Sequence, residues 1–231
     1  MNRRRRTATI CGLVAPVIAV GAILLATLVA SPETFTWRGR ALSDMGRPGA
    51  ETFWLFDGGL IVGGLVGAPF VWRVWIEASG PLQRAGAVSL AVAIVGTISV
   101  GVFFLEHTEY YVSTDLHGPA ALTAFGFGPA AALLYGAGSL RGGERRWGLL
   151  SVGVGVAPVA QWVVWIGYAR TIAADPWAWF AVPEALAAAL FGGWVVLLAR
   201  CFRRADAPGP TRMEAGKSTR YPSRGRTTLN T

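Results

Sequence analysis

The sequence predicts an all-α membrane protein: a bundle of six transmembrane helices with both termini in the cytoplasm. Three observations predict it. Of 231 residues, 53% are hydrophobic and only 15% are charged, against about 25% charged in ordinary soluble domains. Six stretches reach the roughly 20 apolar residues that a helix needs to cross the hydrocarbon core. Lysine and arginine collect in alternate connections, as they do in inserted helical chains. The period-2 alternation of a membrane β-barrel does not occur.

The first stretch, Thr9–Ala30, follows the run RRRR and ends in LVAS. Its apolar length of about 21 residues exceeds the roughly 7–15 of a cleaved signal-peptide core, so it reads as a retained helix. The arginines before it read as a topology anchor. The second to sixth stretches are Thr52–Ile76, Ala85–Leu105, Pro119–Leu140, Trp147–Ala169 and Val182–Phe202, each set off by a short segment rich in charge, Pro or Gly. Residues 1–8 are then a basic cytoplasmic N-terminus, 9–202 the membrane domain, and 203–231 a basic cytoplasmic tail. That tail has little apolar content and several Pro and Gly, a composition expected to be disordered.

With the N-terminus inside, only Arg38, Arg40, Arg47 and Arg170 of the 21 Lys and Arg fall on the outer side. Of the 13 acids only Glu77, Glu144, Asp206 and Glu214 fall on the inner side. Lys and Arg in short flanks set orientation, so the bundle is oriented by them and located in the cell membrane as a multi-pass protein. The net charge of +8 therefore requires no nucleic acid. The basic ends lie beside anionic lipid heads, each residue adding about 1 kcal/mol near the surface. Cys11 and Cys201 offer neither metal spacing nor a disulfide framework.

Between helices in lipid the hydrophobic drive is missing, and small residues allow close backbone approach instead. The second helix carries Gly59, Gly63 and Gly67 at four-residue spacing. The fourth carries Ala120, Ala124, Gly128, Ala132 and Gly136 at the same spacing. Both read as tight seams of one bundle, with a homodimer face as the competing use. Trp37, Trp54, Tyr110, Tyr111, Trp177 and Trp179 mark the outer interface, and Trp72, Trp75 and Trp147 the inner. Trp162, Trp165 and Trp194 lie deeper and read as packing residues.

Polar groups gather at the outer end. Asp57 lies just inside the second helix, where carboxylates are costly and tend to be paired or functional. Asp44 sits in the first outer loop, Glu106 closes the third helix, His117 opens the fourth and Glu184 begins the sixth. Asp57 is seven residues before Gly64, on the same helical face, and is expected to line an outward-facing polar cavity. The alternative is a pair with Arg40 or Arg47. His107 and Glu109 read as solvated loop residues, and Gln161 as a hydrogen bond across helices. No HExxH, GxSxG or phosphate loop occurs, and no inverted repeat or pair of broken helices marks a transporter. Cofactor and metal stay unassigned.

Three segments carry a family resemblance: LSDMGRPGAETFWLFDGGLIVGGLVG (Leu42–Gly67), GVFFLEH (Gly101–His107) and DLHGPAALTAFGFGP (Asp115–Pro129). The chain resembles the prokaryotic integral membrane family called domain of unknown function 998. Its motifs fall on Ser43, Asp44, Gly46, Phe56, Asp57, Gly59, Glu106 and His117. The chain departs from them at Ala41, where the loop motif has a first serine, and at FFLE, where the family has Phe-Pro-Glu. The resemblance implies six helices and no established activity. The order Ser43, Asp44, Gly46, Pro48, Glu51, Phe53 is also similar to eukaryotic six-helix proteins of lipid remodelling and autophagy modulation.

The functional expectation is a lipid-handling membrane protein whose outer cluster holds a polar headgroup. Asp57, His117, Glu106 and Glu184 would contact the headgroup, and Asp44 would position the covering loop. A lipid hydrolase or transferase, a small transporter and a helix-packing scaffold are the alternatives. The expected partners are the bilayer, a bound lipid and, through a glycine seam, a second copy.

Overall fold

The computed structural model describes residues 2–206, and among these there is no strand. Six long helices carry the fold: α1 (Arg3–Val29), α2 (Phe53–Glu77), α3 (Pro81–Val102), α4 (His117–Arg141), α5 (Arg145–Thr171) and α6 (Ala181–Ala205). All six are long and apolar enough to cross a membrane. A short 3-10 turn, Leu42–Gly46, lies in the α1–α2 connection.

Several boundaries differ from expectation. Helix α1 begins at Arg3, so most of the basic N-terminus is helical; Asn2 caps it, its side chain accepting from the Arg4 N–H at 3.1 Å, and arginine is a good helix former. Helix α3 runs from Pro81, which suits a first helical position, but ends at Val102. Glu106 therefore does not close it. Glu106 sits in the following turn with left-handed backbone, φ 68°. Helix α6 extends to Ala205, and the expected disordered tail otherwise lies outside the described residues.

The helices pack as a closed circuit: α1 on α2, α2 on α3, α3 on α4, α4 on α5, α5 on α6 and α6 back on α1, with α4 also touching α6. The glycine stripe of α2 is the α1 seam. A Cβ added at Gly63 would lie 2.7 Å from the Ala19 Cβ, and one at Gly67 3.3 Å from that of Ala15, while Gly59 abuts Ala22. This stripe is used inside the bundle. The α4 stripe instead serves three partners: Ala124 meets Gly96 of α3, Gly128 meets Phe191 of α6, and Gly136 meets Ser151 of α5. Geometry explains the contrast. Four-residue spacing drifts by about 40° per step on a helix of 3.6 residues per turn, so the longer α4 stripe winds round the helix.

The surface is that of a lipid-facing bundle. Leu28, Leu122, Val164 and Ile172 are more than 70% exposed, a pattern water would penalise. Trp54, Tyr110, Trp177 and Trp179 are exposed at one end, Trp72 and Trp75 at the other. Trp194 is fully buried and donates to the Ser151 hydroxyl at 3.0 Å. Trp162 and Trp165 pack edge-on to each other and to Phe180. Gln161 does bond across helices, donating to the Pro183 carbonyl at 2.8 Å.

Candidate functional site

The 3-10 turn Leu42–Gly46 lies over one end of the bundle because five contacts fix it. Asp44, largely buried, accepts from the Ala41 N–H at 2.8 Å, closing the turn on itself. Its other oxygen accepts from Arg47 Nε at 2.8 Å. Arg47 also pairs with Glu106, tying the turn to the end of α3. From α6, the buried Glu184 carboxylate accepts from the Leu42 N–H at 2.7 Å. Behind them the Thr52 hydroxyl donates to the Met45 carbonyl at 2.8 Å.

Asp57 is 3% exposed, and among the described residues neither of its oxygens meets a hydrogen-bond donor. The alternative pair with Arg40 or Arg47 does not form: Arg40 donates to the Glu33 carbonyl and Arg47 is taken by Asp44 and Glu106. The Asp57 carboxylate instead lies against the backbone of Gly46, where an added Cβ would come within 2.6 Å of Oδ1. Its own carbonyl lies as close to the Cβ position of Gly101 on α3. These two glycines admit the aspartate between the covering turn and α3.

His117 opens α4, its N–H donating to Asp115 Oδ1 at 3.1 Å. Its Nδ1 lies 2.8 Å from the Phe103 carbonyl. A carbonyl only accepts, so Nδ1 carries the proton and Nε2 of the neutral ring is left as an acceptor. His107 corrects the expectation of a solvated residue. It is 1% exposed, with Nδ1 2.9 Å from the Phe104 carbonyl and Nε2 3.1 Å from that of Thr114. Its neighbours are aromatic: Phe103, Phe104 and Tyr111 surround the ring. It clasps the α3–α4 connection, while Glu109 is exposed as expected.

Beneath the covering turn a cavity of about 150 Å³ runs into the bundle, lined by α1, α2, α3, α4 and α6. On α2 its lining extends from Phe56 to Phe70 and on α6 from Glu184 to Val195. At 1.5 Å per residue these spans are about 21 and 16 Å, comparable with one leaflet of the roughly 30 Å hydrocarbon core. So small a volume over such a length leaves a narrow slot. Its polar lining is Ser43, Thr97, His117 and Glu184, and all but Thr97 stand at the end under the turn.

The outer cluster read from sequence is therefore divided. His117 and Glu184 line the cavity; Asp44 and Glu106 hold the covering turn through Arg47; Asp57 supports that turn from below and is not part of the lining. Among the described residues no three His, Cys, Asp or Glu side chains converge as metal ligands.

A second polar cluster, at the opposite end, was legible in sequence only as topology charges. Arg73 of α2 is 1% exposed. It pairs with Asp206 at 2.9 Å and with Glu77 at 3.1 Å, and stacks over the Phe202 ring. Arg5 of α1 reaches the same Glu77 at 3.4 Å. The network joins α1, α2 and the end of α6. Only the burial of Arg73 distinguishes it from a solvated flank residue, and no local spacing signals that.

Fold and site together define a six-helix polytopic membrane protein with a turn-covered apolar cavity. The chain belongs to the family described as Protein of unknown function (DUF998), whose model matches residues 13–200. Among curated proteins and among solved structures, nothing matches the chain.

Proposed function

We propose that this protein binds a membrane lipid, taking one apolar chain into the central cavity and placing the head beneath the turn Leu42–Gly46. The observation that carries this is the cavity itself: narrow, about 150 Å³, lined mostly by apolar residues, with Ser43, His117 and Glu184 at the covered end. Apolar cavities of this size stay dry and take up apolar guests. The depth of the slot suits a chain drawn from one leaflet. The distribution of Lys and Arg supports an orientation with both termini cytoplasmic, in the cell membrane, so that the covered end faces outward. Asp57 then acts indirectly, by supporting the turn at Gly46.

The test is lipid extraction and native mass spectrometry of the purified full-length protein. Wild type is expected to retain a lipid that Ala121→Phe and Ala188→Phe, both filling the cavity, lose while keeping their helical content. Asp57→Asn is expected to keep the lipid. Equal lipid per protein in the two filled variants and wild type would show that the cavity is not the binding site.

A further inference from the structure

Resting on the cavity reading above, we infer that the site selects a lipid whose head donates hydrogen bonds and carries no negative charge: a hydroxyl or an ammonium. Three groups face the head position, Ser43, His117 and Glu184. Two of them are acceptors. His117 spends its Nδ1 proton on the Phe103 carbonyl, leaving Nε2 with a lone pair. Glu184 uses Oε2 for the Leu42 N–H, which leaves Oε1 to accept from another donor. Ser43 can accept or donate.

Among the described residues no lysine or arginine lines the cavity. Arg47 is held by Asp44 and Glu106 and is not part of the lining. A carboxylate or phosphate head would therefore meet a carboxylate and a bare imidazole nitrogen with no counter-charge. Burying a charge so placed is strongly unfavourable. A hydroxyl or ammonium satisfies both acceptors at once, and interactions of buried acceptors with such donors discriminate sharply against heads that lack them.

The experiment compares three probes with one chain in common, monooleoylglycerol, oleylamine and oleate, titrated at pH 8 into the full-length protein in detergent and read by native mass spectrometry. Monooleoylglycerol or oleylamine is expected to bind at least about tenfold more tightly than oleate, the equivalent of one or more good hydrogen bonds. Glu184→Gln, whose amide oxygen can still accept from Leu42, separates the two accepted heads. It should weaken oleylamine by about tenfold or more and monooleoylglycerol much less if the ammonium is preferred. It should leave their order unchanged if the hydroxyl is preferred. Oleate binding as tightly as the other two overturns the head assignment while leaving the cavity reading intact. Failure of all three probes to bind overturns the cavity reading itself.

Discussion

The Glu184 carboxylate on α6 accepts the backbone N–H of Leu42, 142 positions earlier in the chain, at 2.7 Å. Both groups are buried, so the bond fastens the covering turn to the helix that closes the circuit. Removing the acceptor would orphan a buried N–H, at about 1–3 kcal/mol. Glu184→Ala is expected to lower stability in detergent by that amount and to speed hydrogen exchange at Leu42. Glu184→Gln should do neither to a comparable extent. Equal protection of the Leu42 amide in wild type and Glu184→Ala would show that the turn is held by other contacts.

The opposite end depends on Arg73. A fully buried guanidinium is tolerated because Asp206 and Glu77 compensate it. Breaking a buried pair by removing one partner costs about 3–5 kcal/mol, whereas replacing both partners by apolar groups is often close to neutral. Asp206→Ala alone should therefore destabilise strongly, and Arg73→Met with Asp206→Ala should recover much of the loss. Additive effects in that double-mutant cycle would dissolve the pair.

Neighbouring glycines of α2 offer a sharper comparison. A Cβ at Gly63 meets Ala19 at 2.7 Å and the Ala15 carbonyl at 3.2 Å, while one at Gly58 meets nothing within 4 Å. Gly63→Ala should cost about 1–3 kcal/mol through overpacking of the α1–α2 seam. Gly58→Ala should be neutral or slightly stabilising, since alanine is the better helix former. Thermal unfolding of both variants in one detergent checks the order.

In the α1–α2 connection Glu51 accepts from the Ser31 N–H and from the Thr34 hydroxyl, the latter at 2.8 Å. These bonds, the Ser31 amide foremost, hold its carboxyl well below the usual 4.5, at about 2. A depressed folded-state value means that the bonds are intact above about 4.5 and fail as pH falls toward 2. Exchange at the Ser31 amide should accelerate across that window in wild type. In Glu51→Gln it should keep only its intrinsic pH dependence. The same loosening in both would assign it to another group.

Helix number was legible because bilayer thickness imposes a length, and six apolar runs of that length stand in the chain. The ends of helices were less so. The apolar run places Glu106 at the close of α3, yet the helix stops at Val102 and the chain turns through a left-handed residue. The gathering of Asp44, Asp57, Glu106, His117 and Glu184 at one end also followed from threading alone, since alternate connections share a side. Which of them share a surface did not.

What the sequence by itself determined is the class of protein, the six helices, the resemblance to its family and the end at which the polar groups collect. All of these depend on composition and on spacing along one segment. Tertiary structure alone decided that α2's glycines meet α1, that a slot remains inside the circuit, and that His117 and Glu184 face it while Asp57 lies beneath Gly46. It also decided that His107 and Arg73 are buried. The physical reason is common to these. Burial, the partner of a hydrogen bond and the gap between helices are set by how separate segments rotate and approach, and small residues permit several such approaches. Nothing within a single segment fixes which one is adopted.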